Sequence, residues 1–502
     1  MQAKINTIAF RGVDTIPVDV QVHLSNGLPS MAIVGLGDKA VAESKERVRA
    51  ALSSMGLAMP PKRIAINLAP ADLLKEGSHF DLPIALGLML AMGVLPQDSL
   101  DGFIVLGELG LDGSITSVGG VLSAAIGASA LQMGLICPSS CGTEASWAGP
   151  LSIIAAPSLV ALVNHLRGEQ VLNPPVATAV APSVSYPDMR DLVGQYTARR
   201  AMEIAAAGGH NLLMIGPPGA GKSMLAARLP GLLPPLTAAE ALEVTMIHSI
   251  AGQLEEGNLI LNRPFRDPHH SASVAALVGG GTRAKPGEVS LAHGGVLFLD
   301  ELAEWPRPHL DSLRQTIETG KAVVSRANHH VTYPARFQLI AAMNPCRCGY
   351  LGDPARACTR APLCGRQYQS RLSGPMLDRF DMLIEVPEVP VRMLTRPSDA
   401  EDSATIASRI MQARLMTGQR PGQGENLTNA QLTPEMIETI IPLDDKALAL
   451  IHDAAEKQGL SARGFHRVLR VARTIADLAG TEDITQDHLA EALRLRRLPV
   501  EA

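Results

Sequence analysis

The eight residues Gly216, Pro217, Pro218, Gly219, Ala220, Gly221, Lys222 and Ser223 fit the spacing G-x-x-x-x-G-K-[ST]. Glycines at these intervals let a loop turn its backbone N–H groups inward, and a helix that follows presents its N-terminus to an anion. Lys222 adds a point charge and Ser223 a hydroxyl suited to magnesium. The flanks agree, because the apolar run 212–215 precedes the loop and a helix-forming run follows it. A plain glycine-rich turn is the alternative and needs neither flank. The chemistry implied is capture of a nucleoside triphosphate, ATP with Mg2+.

A second apolar run, 296–299, ends in Asp300 and Glu301. Carboxylates at the C-terminal edge of a buried strand lie where ligands collect in α/β sheets. Asp300 would hold magnesium, directly or through water, and Glu301 would polarise the water of an in-line displacement. Alone, such a pair also describes a solvated strand end; beside a phosphate loop it completes a Walker-type site. Asn344 closes a third apolar run, where an amide can orient water against a terminal phosphate; the alternative is an Asn in the turn before Pro345. Arg379, in 378–381, either pairs with nearby acids or reaches across a subunit boundary to a neighbour's terminal phosphate, which requires an oligomer.

The runs 212–215, 296–299, 337–343 and 382–386 alternate with helical stretches, the pattern of a parallel sheet covered by helices. At 502 residues the chain exceeds one ordinary core. The Pro-, Ala- and Val-rich stretch 173–185 reads as a linker, and a second break near 395–402 precedes apolar residues at three- and four-residue spacing. The expected layout is an N-terminal domain 1–170, a linker 171–186, an ATPase core 187–395 and a helical domain 396–502. No repeat of twenty to fifty residues interrupts it. Aromatic residues make up only 3%, so any nucleic-acid contact would lean on charge and backbone, and a net charge of -5 excludes a basic wrapper. The longest apolar stretch, 82–95, is too short for a bilayer and is broken by Pro83, Gly87 and Gly93, so it reads as a buried helix and no membrane partner is expected. The first dozen residues carry no secretory pattern, and the cytoplasm is the simple inference.

Four long segments together, 265–273, 279–301, 341–349 and 373–381, resemble the ComM/YifB family of magnesium-chelatase-like AAA+ proteins, whose relatives include the MCM helicases and magnesium-chelatase ATPase subunits. The resemblance covers nearly the whole chain. It implies an AAA+ α/β core with a helical lid, ATP hydrolysis and a hexameric ring. By the same resemblance Asn344 is similar to sensor 1, Arg379 to an arginine finger, and Arg463 to sensor 2, with Arg467, Arg470 and Arg473 nearby as alternatives or as a solvated basic face.

Residues 322–333 read as two short strands around a polar tip, a β-hairpin. In MCM-like motors an equivalent hairpin grips nucleic-acid backbone, which makes Lys321, Arg326, His329 and His330 candidates for DNA contact; an ordinary surface hairpin is the alternative. Cys346, Cys348, Cys358 and Cys364 place four soft ligands close to the catalytic strand, for which tetrahedral zinc in a bracing role is the natural candidate and free thiols the alternative. The N-terminal region resembles the Lon-type protease fold, related to ribosomal-protein-type α/β domains. The nucleophile position of that pattern falls on His79 and the lysine position on Leu122. Ser78 has no lysine expected in reach, so the domain reads as a non-catalytic ring or binding module.

Three functions are compatible with these readings: an ATP-driven DNA motor for branch migration or helicase-like movement in recombination of incoming DNA, an ATP-dependent protein remodeller or protease, and a magnesium-insertion chaperone. The hairpin favours the first. The missing lysine weighs against the second, and the absence of an evident acidic metal-insertion domain weighs against the third.

Overall fold

The computed structural model describes residues 2–496 other than 72, 74, 178–184, 255–256, 282–283, 327–328, 352–355, 357–358, 395–399, 421–426, 442, 444 and 459. The N-terminal part is built on strands β1 (Gln2–Arg11), β2 (Asp14–Ser25), β3 (Ser30–Val34), β4 (Arg63–Ala69), β5 (Phe103–Val105), a small β6 (Glu108–Leu109) and β7 (Ile115–Thr116) pair, β8 (Gly134–Pro138) and β9 (Ile153–Ala156). Seven of them form one mixed sheet in the order β3-β4-β2-β1-β5-β8-β9. Alternating burial along β4 places Ile64, Ile66 and Leu68 on one covered face, the period-2 signature of a half-buried strand. The helix Asp81–Ala91 lies against that face with every residue buried, which accounts for the apolar stretch seen in sequence. A Cβ on Gly87 would come within 2.8 Å of Val22, so glycine is what lets the helix approach the sheet.

The central part carries β10 (Leu212–Ile215), β11 (Phe265–Arg266), a short β12 (Gly279–Gly280) and β13 (Lys285–Pro286) hairpin, β14 (Val296–Leu299), a longer β15 (Lys321–Arg326) and β16 (His329–Pro334) hairpin, β17 (Gln338–Met343) and β18 (Met382–Glu385). Five of these make an all-parallel sheet, β11-β14-β17-β10-β18. The inner strands are apolar runs, apart from Gln338 at the start of β17, because both faces are covered. Leu212, Met214, Phe298, Ile340 and Ala342 point into one core, and Leu213, Ile215, Leu299, Leu339 and Ala341 into another. Register aligns Leu299 with Ala341 and Ile215 with Met343, so the residues that follow these strands emerge along one edge.

The C-terminal helices Ser403–Gln419, Pro434–Ile440, Asp445–Gln458, Ala462–Leu478 and Gln486–Arg494 share the first of those cores. Their apolar stripes therefore seat them on the sheet through the helix Tyr196–Gly208. Buried polar pairs fix this packing: His210 Nε2 lies 2.7 Å from Thr474 Oγ1, and Asn429 Nδ2 donates to Thr474 Oγ1 and Asp477 Oδ2.

The N-terminal and central parts also touch through a buried polar knot. Ser249, on the helix Ala238–Ala251, donates to the carboxylate of Glu144 and accepts from the backbone N–H of Gly120 at 2.8 Å, while the N–H of Leu122 reaches Glu144 at 2.8 Å. Burial pushes the Glu144 carboxyl above its ordinary pKa, opposed by these hydrogen bonds. Nearby, a Cβ on Gly12, in the β1–β2 turn, would meet the Thr332 carbonyl oxygen at 2.7 Å, so that turn rests directly on β16.

Candidate nucleotide site

The glycine loop leaves the end of β10 and feeds the helix Lys222–Arg228. Gly219 and Gly221 have φ of 77° and 86°, left-handed conformations that glycine adopts without strain. A Cβ at Gly216 would lie 2.0 Å from the Val386 carbonyl oxygen, so a side chain there would collide with the segment after β18. Lys222 Nζ donates to the carbonyls of Gly216 at 2.7 Å and Pro217 at 2.9 Å, and to Asn344 Oδ1 at 3.2 Å. Burial lowers its pKa, countered by the charges of Asp300 and Glu301. Ser223 Oγ donates to Asp300 Oδ2 at 2.9 Å. The loop after β10, the acids after β14 and the amide after β17 are thus within hydrogen-bond reach of one another.

Glu301 takes φ of 50°, and its N–H donates to Asp300 Oδ1 at 2.8 Å. Trp305 Nε1 donates to the Asp300 carbonyl at 3.0 Å, anchoring the turn from beneath. His270 Nδ1 lies 3.3 Å from Glu301 Oε2. Oxygen donors of Ser223 and Asp300 beside a lysine and a glycine loop suit a hard divalent cation with a polyphosphate. The arrangement is chemically capable of in-line phosphoryl transfer to water, with Glu301 within reach of a base role.

Two supports were not visible in the motif spacing. Gln195 Nε2 donates to the carbonyls of Ala220 at 3.0 Å and Pro387 at 2.6 Å, bracing the loop from the helix that precedes it. A Cβ on Gly349 would come within 2.5 Å of Pro218, so the turn after Asn344 presses on the loop. Neither residue carries a local signature.

Arg379 is not brought to this site. It lies at the opposite end of the sheet, where Asn211, immediately before β10, donates from its amide to the Arg379 carbonyl at 2.9 Å. Its guanidinium pairs with Glu318, and its pKa is lowered first by burial and then by the charges of Arg467, Arg463 and Arg314. A cavity of about 680 Å³ opens there, lined by Arg379, Arg467, Arg470, Arg263, Glu240 and Gln338. Arg463 stands on the helix Ala462–Leu478 near this cluster, and Arg467 pairs with Asp381 at 3.3 Å. Arg473 is different: it is buried and spent on Asp477 and the carbonyls of Thr481 and Glu482, which makes it a structural residue.

The hairpin is present, with β15 and β16 antiparallel from Lys321↔Pro334 to Arg326↔His329. Its base is tied down by Tyr333, whose hydroxyl donates to the Ala284 carbonyl at 2.8 Å. Lys321 and His330 are exposed, with His330 Nδ1 3.0 Å from Ser325 Oγ, and the side chains of Arg326 and His329 lie outside the described residues.

The expected four-thiol centre is not assembled among the described residues. Cys346 and Cys348 sulfurs lie 3.1 Å apart, Cys364 is half-buried, Cys358 lies outside the described residues, and no group of three or more His, Cys, Asp or Glu is placed to hold a metal ion. Burial, followed by Cys348, raises the Cys346 thiol pKa. In the N-terminal part Ser78 donates to the Glu108 carboxylate, not to a lysine, while His79 is buried against the Ile8 carbonyl and Leu122 is fully covered. Lys75 Nζ is held by the carbonyls of Pro70 and Leu73. Among the described residues no helix is long and apolar enough to cross a membrane.

Comparison with known proteins gives three family matches along the chain: subunit ChlI of Mg-chelatase over residues 20–140, magnesium chelatase, subunit ChlI, over 188–394, and its C-terminal part over 400–496. Competence protein ComM of Haemophilus influenzae is 45% identical over 98% of this chain and 96% of its own length. The YifB protein of Escherichia coli is 43% identical over 98% and 97%. The magnesium-chelatase 38 kDa subunit of Cereibacter sphaeroides is 26% identical over 62% of this chain and 92% of its own.

Proposed function

From the premise that this chain belongs to the ComM/YifB family of magnesium-chelatase-like AAA+ ATPases, we propose that it is a hexameric, ATP-driven DNA motor, acting in the cytoplasm on branched or single-stranded DNA during recombination of incoming DNA in natural transformation. The observation that carries the ATPase half is the Ser223–Asp300 hydrogen bond, which joins the phosphate loop to the acids of the neighbouring strand. Lys222 and the loop amides bind the phosphates, and Ser223 and Asp300 hold magnesium, which supplies charge neutralisation at the transferred group. Glu301 takes the proton of the attacking water as its oxygen bonds the terminal phosphorus and the bridging oxygen leaves with ADP. Asn344 orients that water. Arg379, with Arg463 or one of its neighbours Arg467 and Arg470, serves the site of the next copy in the ring, which fits their place at the far end of the sheet.

The DNA half rests on the name of the ComM relative and on the exposed hairpin carrying Lys321 and His330. Contacts of this kind neutralise backbone phosphates and so weaken with salt. The test is the ATPase rate with and without single-stranded, duplex and branched DNA. Stimulation by branched or single-stranded DNA is expected; a rate indifferent to all three would remove the motor reading and leave the ATPase.

A further inference from the structure

We propose that Cys346 and Cys348 are a redox modification site: a hydroperoxide joins them in a reversible disulfide, and closing that ring displaces the turn between Asn344 and the phosphate loop. The inference rests on the reading of Asn344 and that loop as the nucleotide site. The two sulfurs lie 3.1 Å apart with Arg347 alone between the residues, and neither is in a disulfide. Two thiolates on one tetrahedral zinc would stand about 3.8 Å apart, given Zn–S bonds of about 2.3 Å. The pair is therefore closer than a shared metal would hold it.

The backbone around the pair is tied to the nucleotide site on both sides. The N–H of Gly349 donates to the Cys346 carbonyl at 3.0 Å, which folds 346–349 into one turn with Gly349 at a φ of 87°. Ahead of the turn, Asn344 Oδ1 accepts from Lys222 at 3.2 Å, and Gln369 Nε2 donates to the Pro345 carbonyl at 3.0 Å. Behind it, a Cβ on Gly349 would come within 2.5 Å of Pro218, so no slack separates the turn from the loop. A disulfide of about 2.05 Å brings the sulfurs about 1 Å closer, and the turn that shortens passes the shift to Asn344 and Pro218.

Cys346 is buried and Cys348 half-buried, so a small oxidant meets Cys348 first. With hydrogen peroxide, the Cys348 sulfur attacks one oxygen, the O–O bond breaks, and the departing hydroxyl leaves with the thiol proton as water. The Cys346 sulfur then attacks the sulfenic sulfur of Cys348. The S–S bond forms as the S–O bond breaks, and the second hydroxyl leaves with the Cys346 proton as water. Two thiols are oxidised and one peroxide is reduced to two waters; a dithiol reductant reverses the bond by exchange.

The test treats the full chain with hydrogen peroxide, alkylates the remaining thiols and digests with trypsin, which cuts after Arg347. The peptides 337–347 and 348–356 are expected as one species, lighter by two hydrogens and not alkylated. ATP turnover falls about tenfold or more with this modification, and dithiothreitol restores it. Cys348→Ser turns over like the reduced wild type and does not respond to peroxide; the wild-type measurements stand without it. Pairing with Cys358 or Cys364, thiols that hold zinc and resist peroxide, or unaltered turnover once the pair is joined overturns the proposal. Absence of turnover in the reduced chain would instead remove the nucleotide-site reading on which it rests.

Discussion

Ser223 Oγ and Asp300 Oδ2 are 2.9 Å apart although 77 residues separate them in sequence. The bond closes a short circuit between two loops at one edge of a parallel sheet, and Lys222 closes a second with Asn344. Three strands, apolar but for Gln338 at the start of β17, thus deliver their polar ends to one place. The sheet provides rigidity, and the loops provide the chemistry.

Replacing Lys222 with alanine removes the one ammonium in this circuit and leaves Asn344 and two carbonyls without their donor. Nucleotide affinity should fall about 100-fold or more, the scale of about 3 kcal/mol for lost charged hydrogen bonds. Glu301→Gln should keep affinity and lose roughly 100- to 10,000-fold in turnover. Fluorescent-analogue titration and phosphate release separate the two.

Gly216→Ala tests how tightly the loop is seated. The added methyl meets the Val386 carbonyl oxygen at 2.0 Å, so the loop or the segment after β18 must shift. A loss of about 1–3 kcal/mol is expected, read as a lower urea midpoint together with weaker nucleotide binding. An unaltered midpoint would mean that the loop relaxes freely.

The expected service of Arg379 to a neighbouring copy predicts complementation. Arg379→Ala should bind nucleotide yet lose about 1,000-fold or more in turnover. Mixing it with Lys222→Ala should restore measurable hydrolysis, because a wild-type loop would then face a wild-type arginine. Inactive mixtures that still form rings would contradict the shared site.

Much of this arrangement could be read from local spacing. The glycine loop, the acids after 296–299 and the asparagine after 337–343 each carry their signature within a few residues, and unbroken apolar runs announced a parallel sheet. β11 was not legible, since two residues, Phe265 and Arg266, are too short to show a period. Gln195, His270 and the Glu144–Ser249 knot were hidden because their partners lie far away in sequence. Arg473 shows the converse limit: it shares a helix and a spacing with Arg467 and Arg470, yet its guanidinium is bound by Asp477 and the carbonyls of Thr481 and Glu482, whereas Arg467 and Arg470 line the cavity. The cysteines form a ligand set by count; the sulfurs of Cys346 and Cys348 do meet, Cys358 lies outside the described residues, and no group of three or more ligands is assembled among the described ones.

His79 gives the N-terminal domain a pH dependence. Burial holds its imidazole at about 4, below the ordinary 6.5, with the Ile8 carbonyl opposing. The folded state therefore favours the neutral ring: its contribution is complete above pH 6.5 and is lost as pH falls toward 4. The loss is on the order of 3 kcal/mol. Urea midpoints measured from pH 7 to 4 should fall more steeply for the wild type than for His79→Gln, and parallel curves would contradict the assignment.

The most direct measurement is equilibrium binding of a fluorescent ATP analogue to the full chain, with magnesium and with it chelated, for the wild type, Lys222→Ala and Asp300→Ala. One saturable site per chain is expected, weakened by chelation in the wild type, nearly lost in Lys222→Ala, and indifferent to magnesium in Asp300→Ala. Wild-type affinity in Lys222→Ala, or a full magnesium effect in Asp300→Ala, would show that the nucleotide binds elsewhere.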